Sequence, residues 1–343
     1  MSYDAVVLVS FGGPERPEDV APFLANVTRG RGVPPERLAE VAEHYQHFGG
    51  VSPINQQCRD LLAAIRADFA ANGLDLPVYW GNRNWHPLLA DTVARMRDDG
   101  VRRALAFVTS AYAGYSSCRQ YLEDIATARA AAGPEAPVIE KLRQFWDHPG
   151  FVQPNVDAVR AALETLGTAD RSSIRLVFVA HSIPTAMAAT AGPDGGRYEA
   201  QLQETARLVA AAAAPDLKYD LVWQSRSGPP HVPWLEPDIN DHLATLAADG
   251  VTAVVVSPIG FVSDHLEVVW DLDTEAAGTA KRLGLGYARA ATAGTDPRFV
   301  AMIRELVLER LDPAGAVPRS RLGTLPAWDH CPATCCPAPS RRP

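Results

Sequence analysis

The sequence predicts an α/β protein built from two similar, doubly wound domains, each around a four-stranded parallel sheet. Three observations predict it. Short apolar runs alternate with amphipathic helical stretches along the chain, which is the pattern of strands joined by crossover helices. Each half of the chain offers four such runs. The 343 residues also suit two domains better than one.

In the first half the strands read as Ala5–Ser10, Val78–Gly81, Leu105–Thr109 and Val138–Lys141. In the second half they read as Ile174–Ala180, Leu221–Gln224, Val254–Ser257 and Leu285–Arg289. Helical periodicity fills the intervals, as in Gln57–Asn72, Leu88–Asp99, Glu199–Ala213 and Ile239–Ala248. The domains are expected at 1–147 and 148–311, joined near Asp147-His148-Pro149-Gly150. Pro297–Leu311 reads as a last helix that packs back on the first domain. Residues 312–343, rich in Pro, Arg and Cys, read as an irregular tail held by whatever its cysteines bind.

Composition excludes several classes. A net charge of −8, from 32 basic and 40 acidic residues, argues against a general nucleic-acid binder. No run of 18 apolar residues exists, and Met1 leads straight into a strand, so neither a membrane span nor a signal peptide is expected, and the expected location is cytoplasmic. The first strand ends in Ser10-Phe11-Gly12-Gly13-Pro14 without a G-x-G-x-x-G, which rules out a dinucleotide fingerprint. The strand to Ala180 ends in His181-Ser182-Ile183-Pro184. A conventional serine hydrolase would need G-x-S-x-G, and that is missing.

Several strand ends are aromatic and polar, notably Trp80-Gly81-Asn82-Arg83-Asn84-Trp85 and the stretch from Ala111 to Tyr121. Aromatic rings gathered at one cleft would form a flat apolar slot for a planar ligand; the competing reading is caps on the core. Arg29 and Arg31 lie in a Gly/Pro loop, either solvated or free to pair carboxylates bidentately. His44 and His47 follow, either as ligands or as ordinary structural residues.

The stretch from Ser257 to Glu275 stands out. After a buried strand and a Ser-Pro turn, Ser263 or Asp264 is placed to cap a helix. Along that helix Asp264, Glu267, Asp271 and Glu275 recur at spacings of three or four. At about 100° per residue they share an arc of roughly 80°. No Lys or Arg follows until Lys281, and Asp273 does not fit the stripe. One reading is a solvated acidic face. The other is a line of oxygen donors for a divalent cation at the carboxyl end of a sheet, where ligands bind in α/β folds.

Together these stretches resemble the ferrochelatases, which insert ferrous iron into a porphyrin. The resemblance rests on Ser10-Phe11-Gly12-Gly13-Pro14, Gly49-Gly50-Val51-Ser52-Pro53, Ala180-His181-Ser182-Ile183-Pro184, Trp223-Gln224-Ser225-Arg226, and Pro258-Ile259-Gly260-Phe261 with Ser263-Asp264-His265-Leu266-Glu267. It covers about residues 1–311 in family order. It implies a chelatase-like fold of two Rossmann-like domains around a cleft. It also implies His181 and Glu267 as the facing pair where metal enters, with Asp271 and Glu275 on an acidic line leading away. Removing two pyrrole protons needs an acceptor, and a neutral imidazole can accept protons and bind metal weakly.

By the same resemblance Ser52 and Tyr121 contact the porphyrin, Arg29 and Arg31 lie in the stretch used for propionates, and Phe11 stands in the first glycine turn. Phe11 replaces a Tyr of some relatives and cannot ligate a metal; His44 replaces an Arg. The lip at residues 25–40 is polar and basic where membrane-binding relatives are apolar. That lip favours the four-propionate coproporphyrin III over protoporphyrin IX, and the Arg-rich composition of 29 Arg to three Lys with the Cys-bearing tail resembles the actinobacterial members, which make coprohaem. A non-catalytic metal or tetrapyrrole carrier is the rival class. Hand-over of product to a downstream haem-pathway enzyme is expected of such a member.

Of the five cysteines, Cys58 shares a helical stripe with Leu61, Leu62 and Ile65 and reads as buried. Cys331, Cys335 and Cys336 crowd into six residues of the tail. Some ferrochelatases draw one cluster ligand from the loop that here carries Cys118 and three from the C-terminus. The resemblance therefore implies a 2Fe–2S cluster on Cys118, Cys331, Cys335 and Cys336. His330 is a possible substitute ligand; zinc or a redox-active thiol pair are the alternatives.

Overall fold

In a computed structural model, residues 3–30, 32–167, 170–312 and 314–338 are described. Arg31 lies outside the described residues. The first sheet consists of β1 (Ala5–Ser10), β2 (Val78–Asn82), β3 (Arg103–Val108) and β4 (Val138–Lys141). Its order is β2-β1-β3-β4, all parallel. The second sheet consists of β5 (Ile174–His181), β6 (Lys218–Gln224), β7 (Ala253–Ser257) and β8 (Gly286–Arg289). Its order, β6-β5-β7-β8, repeats the first.

The central strands are mostly apolar because both faces are covered. All six residues of β1 and all five of β7 are buried, as expected for parallel sheets. Alternate side chains still separate cleanly. Val6 and Leu8 join a core that runs through Phe107, Phe145 and Phe151 to Leu176 and Phe178 of the second sheet. Val7 and Val9 face a separate outer core, as do Val177 and Val179 in the second half. The two sheets therefore share one inner core. Stacked and edge-on rings hold its centre, with Phe145 at 5.1 Å from Phe107 and 5.9 Å from Phe299.

Around the first sheet lie α1 (Val20–Val27), α2 (Pro35–His47), α3 (Ile54–Ala71), α4 (Leu89–Asp98) and α5 (Gln120–Ala132). Around the second lie α6 (Pro149–Thr165), α7 (Thr185–Ala189), α8 (Arg197–Ala213), α9 (Ile239–Ala248), α10 (Leu266–Val268) and α11 (Ala277–Leu283). The last helix, α12 (Pro297–Leu311), packs on both α3 and α6. Between α10 and α11 the helix continues as a π-helical segment, Val269–Ala276.

Helix α2 was not legible as a helix. None of its residues is buried, so it lacks the apolar stripe that periodicity detects. It is held by a small separate cluster in which Leu38, Val41 and Tyr45 pack on Phe23 of α1.

The tail has no helix or strand among its described residues, but it is docked. Arg143, almost fully buried, binds both carboxylate oxygens of Glu309 at 2.7 and 2.8 Å and donates to the Ser320 carbonyl at 3.3 Å. Arg321 pairs with the fully buried Asp147 at 2.7 Å, and Leu322 donates to the Asp147 carbonyl at 2.9 Å. Gly323 lies flat on Trp146, where a Cβ would come within 2.7 Å of the ring. The hold on the tail is therefore not left to its cysteines, as the sequence suggested; it is seated on the link between the halves.

Candidate active site

In each sheet the strand order reverses beside the first central strand, and the crevice beyond the carboxyl ends there is the usual ligand site. Strand β5 reaches that crevice with His181, and β7 delivers the chain to Pro258 and Gly260. Gly260 sits so close to β5 that a Cβ would lie 2.6 Å from that of Ala180. Its N–H donates to the Val179 carbonyl at 3.0 Å. Gly13, at the end of β1, is equally tight against Ser52 and Ile54. These contacts explain why both turns carry glycine.

The helix after β7 starts later than expected. Neither Ser263 nor Asp264 caps it. The cap residue is His265, with no side-chain bond of its own. Instead the buried Ser52, from the first domain, accepts from the Leu266 N–H at 3.3 Å, and Gln57 accepts from the Asp264 N–H at 2.8 Å. Tyr112 donates to the Ile259 carbonyl at 2.8 Å. The first domain thus fixes where this helix begins.

The acidic stripe divides in two. Asp264 lies before the helix, and Arg289 at the end of β8 binds both its oxygens at 3.0 Å. The same guanidinium reaches Asp273 at 2.6 Å. The counter-charge that the local sequence lacked comes from β8, and Asp273 has its explanation. Glu267, Asp271 and Glu275 remain. A π segment has about 4.4 residues per turn, so side chains four apart still stay roughly in line.

His181 and Glu267 face one another with Nε2 and carboxylate oxygen 3.6 Å apart, keeping 34% and 46% of their side-chain surface open to the cleft. The other ring nitrogen, Nδ1, donates to the Ser182 carbonyl. Tyr198 donates to the His181 carbonyl at 2.8 Å. Burial alone would lower the His181 pKa, but the Glu267 charge and hydrogen bond outweigh it and raise it to about 9. Burial would raise Glu267, yet the imidazolium holds it well below the usual carboxylate range. The pair is therefore imidazolium and carboxylate at neutral pH, where the sequence reading assumed a neutral ring. His265 beside it is kept neutral by burial.

Among the described residues Asp271 makes no salt bridge. Gln224 donates to it at 3.1 Å, and Ser225 donates to the same oxygen. Ser225 holds this position with φ at +60°. Burial, then the Glu267 charge, push Asp271 up to about 7 despite the Ser225 bond. Glu275 is exposed at the outer end of the line, where His44 stacks on Trp270 with ring centroids 3.9 Å apart.

A match to the ferrochelatase family spans residues 3–311. The chain is 59% identical over 352 residues, covering 100% of it and 99% of its relative, to coproporphyrin III ferrochelatase of Nocardia farcinica. It is 57% identical to that of Streptomyces coelicolor, with 99% and 95% of the two chains covered. Against that of Mycolicibacterium smegmatis it is 60% identical, with 91% of each covered. The chain belongs to the ferrochelatase family.

Among solved structures, SirB from Bacillus subtilis with Fe3+ shares the fold at TM-score 0.54 and 13% identity, covering 90% of this chain and 97% of that one. CbiX, the terminal enzyme for biosynthesis of sirohaem in denitrifying bacteria, does so at 0.52 and 16%, covering 90% and 100%. The chelatase-like architecture expected from sequence is the one found.

On the first-domain side of this ferrochelatase's cleft, Phe11 is partly exposed and packs edge-on against Phe23 at 6.3 Å. Arg83, pinned by Asp124, lies over Phe11 at 5.7 Å and over Tyr121 at 4.6 Å. Tyr121 is buried beneath it. Arg29 is exposed just past α1. Sequence reasoning included Arg83 in the aromatic, polar stretch that ends β2 but gave it no role of its own.

The predicted thiols lie in one region. Cys335 and Cys336 have sulfurs 3.5 Å apart, and the Gly192 N–H donates to Cys336 Sγ at 3.0 Å. Burial, then the neighbouring Cys118, push Cys331 up; burial and Cys336 push Cys335 far above the ordinary thiol range. Among the described residues, no three His, Cys, Asp or Glu side chains form a group able to hold a metal ion. Nor is any helix among them long and apolar enough to cross a membrane.

Proposed function

We propose that this enzyme inserts ferrous iron into coproporphyrin III, giving coprohaem, with His181 and Glu267 at the insertion point. The observation that carries the site is the His181–Glu267 pair at the strand-order reversal, with Asp271 behind it. The substrate reading is supported by the relatives' names and by Arg29 on a polar lip. Insertion releases two pyrrole protons. His181 begins as an imidazolium and must first pass its own proton on. Glu267 stands in reach, and Asp271, near 7, can hold a proton or lose it at neutral pH. Cation supply along Glu275 and Asp271 would favour that loss, because a nearby divalent charge lowers carboxyl and imidazolium pKa values alike. Ser52 and Tyr121, both buried, act indirectly, Ser52 through the helix start it holds and Tyr121 through the Arg83 that covers it.

The test is anaerobic turnover on both porphyrins. Coproporphyrin III should give the higher kcat/KM, and Arg29→Ala should narrow its lead. A preference for protoporphyrin IX would overturn the substrate, and porphyrin binding without turnover would indicate a carrier.

We also propose that Cys118, Cys331, Cys335 and Cys336 hold a 2Fe–2S cluster. The fit rests on sulfur chemistry. Four thiols share one region, an N–H already points at one sulfur, and Cys336 keeps φ at +51°, a backbone position non-glycine residues seldom hold. Uncompensated, Cys331 and Cys335 resist ionisation; iron would supply the missing positive charge. Bound there, the cluster cross-links the tail to the first domain. Protein purified anaerobically should carry about two iron and two sulfide per chain. Cys118→Ser should lose them and Cys58→Ser should not; zinc in their place would refute the cluster.

A further inference from the structure

The acids at 264 and 273 bracket the two that face the cleft, and one guanidinium holds both. Asp264 lies three residues before Glu267, and Asp273 lies two after Asp271. Arg289 grips the first bidentately at 3.0 Å and the second at 2.6 Å. It is itself rigid. It ends β8, paired in register with Val256 of β7, and its side chain is only 17% exposed. We propose that Arg289 is a positioning residue for metal insertion: a staple that fixes the register of the π segment and thereby the place of Glu267 opposite His181.

Three physical points support this. A π segment is held by poorer backbone hydrogen bonds than an α-helix and is seldom stable without outside support. The first half of the chain holds its start through Ser52 and Gln57, and packs His44, His47 and Phe48 on Trp270, but binds none of the segment's acids. Beyond that start, Tyr287 next to Arg289 donates to the Leu272 carbonyl at 2.7 Å. Strand β8 therefore holds the chain ahead of the helix at 264 and the π segment itself at 272 and 273. The charge arrangement agrees. Arg289 pairs with the two acids turned from the cleft, which leaves Glu267 facing His181. Without Arg289, Asp264 and Asp273 would repel one another and their acidic neighbours across the same short segment. Lysine can replace it only in part, because only the planar fork grips one carboxylate bidentately while its Nε reaches another.

The inference rests on the proposed reading of the site, so the experiment separates the two. Arg289→Met and Arg289→Lys are compared with the unmodified enzyme by kcat, by KM for porphyrin and iron, and by porphyrin binding followed in the absorption spectrum. A positioning role predicts a fall in kcat of about one to two orders of magnitude in Arg289→Met, with porphyrin affinity unchanged. Arg289→Lys should fall between. A kcat within about twofold of the unmodified enzyme, or a loss of porphyrin affinity equal to the loss of rate, overturns the staple. Should Arg289→Met fail to fold, Asp273→Asn decides: it keeps the Asp264 pair, and an unchanged kcat would overturn the proposal. Failure of the site reading shows separately, as full turnover in His181→Ala.

Discussion

At the residue scale, the chemistry depends on which groups carry protons before substrate arrives. His181 sits at about 9, so at pH 7 it is almost wholly imidazolium. If its base form accepts the pyrrole proton, kcat/KM should climb by about tenfold per pH unit from 7 and level off near 9, because this quotient reports the free enzyme. Glu267→Gln removes the charge that holds the proton, so the rise should move down toward the ordinary histidine range. A flat profile between pH 7 and 9 would eliminate His181 as the acceptor. The same raised pKa has a stability consequence. It favours the folded state below about 6.5, and that contribution is lost as pH rises through about 9. Asp271, raised to about 7, likewise loses its contribution on passing neutrality. Neither effect was legible in the sequence. His181 and Glu267 were named from sequence and the structure brings them within 3.6 Å, but that separation, and therefore their charge, is set by segments far apart in the chain.

At the scale of the element, the acidic helix shows what periodicity can and cannot supply. Spacing of three and four correctly set Glu267, Asp271 and Glu275 apart from the apolar Val268 and Leu272, which are buried in the outer core. It wrongly included Asp264 and left Asp273 without a role, because both answer to Arg289 on another strand. It also assumed an α-helix where a π segment runs, since nothing in the local composition distinguishes the two. The surviving three acids lie at different depths, and their variants should differ. Glu267→Gln should cut the maximal rate. Glu275→Gln, at the exposed outer end, should chiefly weaken apparent iron affinity. Steady-state kinetics with iron varied would show this, and indistinguishable defects would argue against a graded path. Helix α2 failed for the opposite reason. Its residues bury too little to show a stripe, yet His44 reaches Trp270 on the acidic helix.

At the scale of the whole molecule, the repeated strand order was legible because each buried parallel strand is a short apolar run that needs no partner to be recognised. The shared inner core and the seating of the tail were not, since both depend on contacts between distant residues. The tail bears the last prediction. If thiols alone held it, Cys118→Ser should release everything beyond α12 to protease. The structure gives a second hold: Arg321 on the buried Asp147, Arg143 on the Ser320 carbonyl and Gly323 on Trp146. Cys118→Ser should therefore expose the cysteine-bearing end while residues 320–323 stay protected. Arg321→Met should do more damage. It leaves Asp147 buried with its charge unpaired, a change that typically costs about 3–5 kcal/mol. Burial has already raised Asp147, so the stability lost in Arg321→Met should be greatest at high pH. It should shrink as pH falls and the carboxyl takes a proton. Denaturant unfolding at pH 5 and pH 8, with limited proteolysis of both variants, measures this; equal loss at the two pH values would mean that the buried charge is not the cause.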